Sequence, residues 1–284
     1  MALAGVTVRD ALDSAVVAIA ASGSPSPRLD AELLLAHALD VGRAELVLDA
    51  GREVAGAQAR AFQELVRRRA STGEPVAYLL GSKGFRHIDL LVDPRVLVPR
   101  PETESLVEAA LPLADGARVL DVGTGSGAVA LALKHERPAL RVTGSDVSED
   151  ALAVARANRD RLGLDVELVQ ADLLAGLGDD WDAILSNPPY IAEGDRAGLP
   201  RDVRDHEPGA ALFGGPDGLD VVRDLIRQAA ATRTPLLALE IGAGQSDAVR
   251  ELVRGAGFHD VAARRDLAGI ERVVVGRRRV RDTP

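Results

Sequence analysis

The 284-residue chain contains no cysteine. That excludes disulfides, thiolate catalysis and cysteine-ligated zinc or iron–sulfur centres, and it agrees with a reducing compartment, so a cytoplasmic location is expected. No stretch offers about 18 uninterrupted apolar residues, and no membrane span is expected. A secretory leader is not expected either: the opening MALAGVTVRDALDSAV has no basic segment ahead of its apolar residues, and Asp10 and Asp13 interrupt the run. Positive charge is in deficit, with 34 basic against 43 acidic residues and a formal charge of −9. This balance argues against a protein that grips naked nucleic acid mainly through phosphate contacts. Lysine is almost missing, only Lys83 and Lys134 occurring among those 34. The arginine that replaces it is a bias of composition rather than a sign of function. Internal repeats and low-complexity segments are missing too.

Apolar material is plentiful, at 46% of residues against 27% charged, which rules out wholesale disorder. At about 150 residues per domain, the length suggests two domains. Charge divides unevenly between them. Residues 1–88 hold 10 basic and 10 acidic side chains, so the whole excess of acid lies in 89–284.

Residues 1–74 read as a small helical bundle, with amphipathic stretches over 6–21, 29–39, 44–48 and 57–70 and with Pro25 and Pro27 as breakers. Arg67, Arg68 and Arg69 at the end of the last stretch read as a solvated helix terminus. Residues 75–98 change character. Short extended pieces at 78–81, 85–91 and 96–98 predict a β-hairpin connector. Pro101-Glu102-Thr103-Glu104 then opens a helix reaching about Leu113, with proline and acids in its first turn.

From 99 to 284 strand and helix patterns alternate. Strands are predicted at 118–122, 141–146, 166–170, 183–186, 236–241, 258–263 and 272–276, and helices at 128–135, 149–162, 219–231 and 245–255. This is the signature of an α/β, Rossmann-like sheet of seven strands built from βαβ units. The last two strands lack a helix between them, which suits antiparallel pairing. The 192–217 stretch, rich in Gly, Pro and charge, reads as an exposed loop, and Arg277-Arg278-Arg279 as a solvated tail.

Asp121-Val122-Gly123-Thr124-Gly125-Ser126-Gly127 follows a strand and opens a helix. Such a turn lets backbone approach a ligand at the carboxyl edge of the sheet. With Ala128 the run also fits Gly-x-Gly-x-x-Ala, which a nicotinamide dinucleotide would use. Asp146, ending the second strand, serves either reading by accepting ribose hydroxyls. Asp121 tips the balance. An acid in the turn repels a pyrophosphate but suits the α-amino group and sulfonium of S-adenosylmethionine. Asp172, after the third strand, is placed to meet an adenine amino group.

Asn187-Pro188-Pro189-Tyr190 follows the fourth strand and therefore reaches the same crevice. Two consecutive prolines fix two φ angles and remove two N–H donors, leaving a stiff loop of carbonyl acceptors. The Asn187 side-chain oxygen and the Pro188 carbonyl can accept both hydrogens of one planar NH2 group, while Tyr190 offers a flat face. Amide and aryl-amine nitrogens are poor nucleophiles because their lone pairs are delocalised. Two fixed acceptors align the lone pair and stabilise the charge that develops on nitrogen. No strong base is required, and none of His37, His87, His135, His206 and His259 is placed by sequence to act as one. Nor is a metal centre expected. The tetrapeptide alone serves adenine, cytosine and glutamine amino groups.

These two motifs occur together with Val98-Pro99-Arg100-Pro101-Glu102-Thr103-Glu104, Glu207-Pro208 and Gly214-Gly215-Pro216-Asp217-Gly218-Leu219. Asp30-Ala31-Glu32-Leu33-Leu34, Leu239-Glu240-Ile241-Gly242 and Arg265-Asp266-Leu267-Ala268-Gly269 complete the set. In this combination the chain resembles, essentially end to end, the release factor glutamine methyltransferases (PrmC/HemK). The resemblance implies a class I methyltransferase domain joined by a hairpin to an N-terminal helical domain. It implies N5-methylation of the glutamine in the Gly-Gly-Gln motif of class I peptide chain release factors, with S-adenosyl-L-methionine as cofactor. It also implies that Gly123 to Gly127, Asp146 and Leu173 line the cofactor site, that Asn187 to Tyr190 hold the glutamine, with Asn187 bordering the cofactor as well, and that Arg100, Glu102 and Thr103 border the glutamine. The alternative substrates are adenine or cytosine of nucleic acid, or another protein glutamine. A monomer without direct nucleic-acid contacts is expected. Two positions depart from the family pattern: Leu173 stands where an aromatic is frequent, and Arg86-His87 follows Phe85 where an aromatic and a glycine are usual.

Overall fold

The computed structural model describes residues 6–278. Two compact units emerge: the chain up to Gly81 together with Pro200–His206, and Ser82–Leu199 together with the chain from Glu207 onward.

The first unit is helical. It comprises β1 (Val6–Thr7), α1 (Val8–Ala21), α2 (Pro27–Leu39), α3 (Arg43–Leu48), β2 (Glu53–Val54), α4 (Gly56–Thr72) and α5 (Val76–Leu80). Thr7 caps α1 by accepting from the Asp10 backbone N–H, and Pro27 starts α2 where a missing N–H costs nothing. Leu12, Ile19, Leu34, Leu35 and Phe62 close the core. Three features depart from expectation. The two-residue strands β1 and β2 pair antiparallel, Val6 opposite Val54. Residues 78–81 belong to a helical turn rather than a strand: Tyr78 and Leu79 donate their N–H groups to the Pro75 carbonyl, and Gly81 ends the turn at φ 68°. An apolar run of this length has no periodicity that separates the two states.

Arg69, expected in solvent, is buried. Its Nε donates to Asp30 Oδ2 at 2.8 Å and its Nη1 reaches the Gly73 carbonyl and, at 3.3 Å, Asp202 Oδ2. Asp30 also accepts from the hydroxyls of Ser24 and Ser26, so this buried pair has the further partners a buried charge requires. Arg68 pairs with Glu74 and Arg67 with Glu64.

The second unit opens with the antiparallel hairpin β3 (Ser82–Phe85) and β4 (Ile88–Leu91). Arg86 and His87 form its turn, with Arg86 at φ 49°, and Arg86 pairs with Glu136. The hairpin therefore forms without the usual glycine. Residues 96–98 add no strand, although Val96 and Val98 are buried. After a 3-10 turn at Pro101–Thr103 come α6 (Glu104–Ala110), β5 (Arg118–Val122), α7 (Ala128–Glu136), β6 (Arg141–Asp146), α8 (Glu149–Leu162), β7 (Glu167–Gln170) and β8 (Ala183–Ser186). Next is α9 (Arg201–His206), which belongs to the first unit. The chain ends with α10 (Asp220–Ala231), β9 (Leu236–Glu240), α11 (Ser246–Gly255), β10 (Asp260–Arg265) and β11 (Glu271–Arg277).

The seven strands run in the order β10-β11-β9-β8-β5-β6-β7. β5 to β9 are parallel to one another where they pair, and β11 runs antiparallel to both β9 and β10. The seven predicted strands are thus all present, with ends moved by up to two residues. Leu120, Val122, Ile184, Leu237 and Val274 from the strands meet Leu225 and Ile226 of α10 and Val249 and Val253 of α11 around the fully buried Phe258. Two expectations at the edges are corrected. Arg278 is no tail residue: its guanidinium lies 4.3 Å from the Phe258 ring centroid and donates to the Ala229 and Ala256 carbonyls. Arg277 is exposed as expected, and Arg279 lies outside the described residues. The 192–217 stretch is not simply an exposed loop. It contains 3-10 turns at Glu193–Gly198 and Gly209–Ala211 as well as α9, and it buries Glu207 and Leu212.

Candidate active site

β5 and β8 are parallel neighbours, Val122 opposite Ser186, and the Ser186 hydroxyl donates to the Val122 carbonyl at 2.8 Å. From β5 the chain builds outward to β6 and β7 on one side, then returns to β8 and β9 on the other. This reversal opens a crevice at the carboxyl ends of the strands. The loop after β5 and the loop after β8 both enter it, and together they line a cavity of about 390 Å3.

The turn after β5 is held from within. Asp121, 2% exposed, accepts from the Thr124 hydroxyl at 2.6 Å and from the Ala130 N–H at 3.2 Å. Asp146 accepts from the N–H groups of Gly125 and Ser148, both at 2.9 Å. The Thr124 N–H reaches the Ser145 carbonyl, which ties the turn to β6. Fully buried Asn158 of α8 bonds the Ser126 carbonyl and both backbone groups of Leu91, fastening turn and hairpin to one side chain. Burial pushes the Asp121 carboxyl up to about 6, despite the two donors that favour its ionised form.

The Asn187–Tyr190 loop is held from outside by the residues that follow it. Ile191 donates its N–H to the Leu212 carbonyl, and Gly214 donates its N–H to the Ile191 carbonyl. Contact is backbone to backbone. A Cβ on Gly218 would lie 2.2 Å from the Tyr190 carbonyl oxygen, and one on Gly214 2.4 Å from that of Pro189. Gly218 also has φ +77°, which disfavours any side chain by about 1–2 kcal/mol. Replacing Gly218 by alanine is therefore expected to destabilise the chain by at least that amount. Thermal unfolding checks it; an unchanged melting midpoint would contradict the close approach.

Most residues expected at the site meet in this cavity. Asp121, Gly123, Thr124, Gly125, Ser126 and Asp146 line it from the β5 and β6 ends. Asp172 and Leu173 line it from beyond β7, Leu173 at φ 53°. Asn187, Pro188 and Pro189 come from the β8 loop, and Arg100 and Thr103 from the start of α6. Three expected residues stand off the lining. Gly127 is the left-handed residue before α7, where a Cβ would strike Leu131. Tyr190 lies behind the loop with its hydroxyl 3.3 Å from Glu240 Oε1, and burial then the Glu240 charge hold its pKa above the usual phenol value. Glu102 sits in the 3-10 turn outside the lining, with its charge felt by Glu240.

Two carboxylates escaped the sequence reading as site residues. Glu207 is buried and pairs with Arg100 at 2.5 Å, which orients the Arg100 guanidinium at the rim. Glu240 ends β9, is 1% exposed, and accepts from the Thr103 hydroxyl at 2.6 Å. Its signal was in the sequence: an acid closing an otherwise apolar core strand at the ligand-bearing edge costs too much to be kept without partners.

A mostly parallel seven-stranded sheet whose cavity sits at the β5/β8 switch point is the fold of a class I methyltransferase. Solved structures agree. A methyltransferase from Pyrococcus furiosus superposes with a TM-score of 0.54 at 20% identity, over 78% of this chain and 98% of its own. The T. thermophilus 16S rRNA N2 G1207 methyltransferase, solved with AdoMet and guanosine, gives 0.51 at 20% identity, over 70% of this chain and 50% of its own. At the sequence level, a PrmC N-terminal domain model matches residues 10–81 and a methyltransferase small domain model residues 102–199. The release factor glutamine methyltransferase of Koribacter versatilis is 42% identical over 96% of this chain and 99% of its own length. That of Moorella thermoacetica is 45% identical over the same shares. The chain belongs to the release factor glutamine methyltransferase family.

Proposed function

We propose that this chain transfers the methyl group of S-adenosylmethionine to the side-chain amide nitrogen of the glutamine in the Gly-Gly-Gln motif of class I peptide chain release factors. The observation that carries the reading is the shared cavity: the Asn187–Tyr190 loop and the glycine turn open onto it together. Five aspartates, Asp121, Asp146, Asp172, Asp220 and Asp224, also line this space against two arginines, Arg95 and Arg100. Such a lining suits a ligand bearing an ammonium and a sulfonium and opposes a pyrophosphate.

Asp121 faces the cofactor amino group in this reading. Asp146 keeps lone pairs free for ribose hydroxyls beyond its two backbone donors. Asp172 meets the adenine amino group, and Leu173 gives the ring an aliphatic wall. The cofactor supplies an activated methyl group whose departure leaves a neutral thioether. The chain does the rest by position. Asn187 Oδ1 and the Pro188 carbonyl accept the two N–H groups of the glutamine amide, align its nitrogen, and stabilise the charge that grows there. The proton leaves after transfer, when the nitrogen has become acidic, so the site requires no dedicated base. Arg100, oriented by Glu207, borders the entrance used by the substrate loop.

The protein acts as a monomer in the cytoplasm, without direct nucleic-acid contacts. Among the described residues no helix is long and apolar enough to cross a membrane. Labelled S-adenosylmethionine incubated with the chain and a release factor is expected to label the Gly-Gly-Gln glutamine. Equal labelling after that glutamine is changed to alanine, or efficient labelling of RNA or DNA instead, would overturn the reading.

A further inference from the structure

Four side chains at the back of the cavity form one connected hydrogen-bond chain. Asn187 Nδ2 lies 3.3 Å from Thr103 Oγ1, Thr103 Oγ1 lies 2.6 Å from Glu240 Oε2, and the Tyr190 hydroxyl lies 3.3 Å from Glu240 Oε1. Thr103, Glu240 and the strand before Asn187 are all buried. A threonine hydroxyl has a single proton. When the Glu240 carboxylate takes that proton in a hydrogen bond, Thr103 is left only as an acceptor toward Asn187. Asn187 must then offer its NH2 to Thr103 and turn its oxygen to the cavity it lines.

We infer that Glu240 is a positioning residue that, through Thr103, fixes the Asn187 amide with its oxygen toward the substrate. The inference rests on the reading of Asn187 as an acceptor for the glutamine amide. It adds a direction to the hydrogen-bond chain. A neutral Glu240 can instead donate to Thr103, which frees the threonine proton to bind Asn187 Oδ1. Asn187 would then present its NH2 to a substrate nitrogen that itself offers only N–H, and the amide would lose its acceptor. Tyr190 works in the same sense, because its hydroxyl donates to the ionised carboxylate.

The charge balance around Glu240 makes the direction responsive to pH. Burial pushes its carboxyl up to about 7. The Thr103 and Tyr190 donors oppose this, Glu102 from the 3-10 turn adds to it, and Arg272 from β11 opposes it. Arg100 also acts on Tyr190 from the cavity side. The productive direction therefore belongs to the basic side of neutrality.

The test is steady-state kinetics with a release factor at saturating S-adenosylmethionine. Glu240→Gln is close to isosteric but carries no charge to compel the Thr103 proton, and its NH2 can donate to Thr103. It is expected to lower kcat at least tenfold, with S-adenosylhomocysteine affinity by calorimetry within twofold of the parent chain. The parent kcat is expected to fall as pH drops through about 7, and Glu240→Gln to lose that acid limb. Thr103→Val should lower kcat similarly, and Thr103→Ser, which keeps the hydroxyl, should recover most of the loss. Should Glu240→Gln fold poorly, the Thr103 pair decides. An unchanged kcat and acid limb in Glu240→Gln, or equal activity of the valine and serine variants, overturns the relay. Asn187→Ala separates the two layers. If it is inactive while Glu240→Gln is fully active, only the relay is wrong. If it is fully active, the role given to Asn187 is wrong.

Discussion

Asn187→Ala is expected to lower kcat by roughly 100- to 1,000-fold while leaving cofactor affinity nearly intact. The magnitude follows from removing one preorganised hydrogen-bonding group from a site where charge develops, which costs about 3–4 kcal/mol. The loop itself should survive the change. Its course is set by Pro188 and Pro189 and by backbone bonds from Ile191 and Gly214, none of which involves the Asn187 side chain. The Thr103 hydroxyl loses one donor but keeps Glu240. Single-turnover kinetics with excess enzyme isolates the transfer step, and calorimetry with S-adenosylhomocysteine reports binding. If both quantities fell in parallel, Asn187 would be a cofactor ligand rather than the acceptor that orients the amide.

Asp121→Asn is expected to weaken S-adenosylmethionine binding by about 2–5 kcal/mol, the range for losing one partner of a buried charge pair. Asparagine can still accept from Thr124 and Ala130, so the turn should keep its shape. The pH dependence gives the sharper readout. Without a cationic ligand the Asp121 carboxyl titrates at about 6, raised mainly by burial. A cationic ligand selects the ionised form. Affinity in the parent chain should therefore be level above about pH 6 and fall as pH drops below it, by up to tenfold per unit. The asparagine variant should show no such slope. The stability sign is opposite. A carboxyl with a raised folded value contributes no penalty below about pH 4, and its penalty grows as pH rises from there through about 6. The ligand-free asparagine variant should thus be at least as stable as its parent at pH 8. A lower melting midpoint there would mean that the Asp121 charge is already compensated by other groups.

The sheet was legible because its signals are local. Runs such as Leu236–Glu240 and Ala183–Ser186 are short, apolar and separated by amphipathic helices, so period and length suffice. Ambiguity arises where a run is too short to show a period, as in Val76–Leu80, and there the flanking Pro75 and Gly81 decide. Arg69 and Arg278 were misplaced for another reason. A long cationic side chain reads as solvated until a distant partner is known, and Asp30 and Phe258 are 39 and 20 positions away.

The sequence by itself determined the chemistry on offer: a glycine turn headed by Asp121, a stiff acceptor loop at Asn187–Tyr190, and no thiol to compete with them. Both loops follow strands, so their arrival at one edge of a parallel sheet also followed from pattern alone. Only the tertiary structure decided what stands behind them. Thr103, Asn187 and Glu240 lie up to 137 positions apart, and no local period relates them. Pairing of β8 with β9 carries Glu240 to the edge where Asn187 emerges, and the 3-10 turn before α6 sets Thr103 between them. Hydrogen-bond direction depends on such meetings in space, which burial enforces and spacing along the chain does not encode.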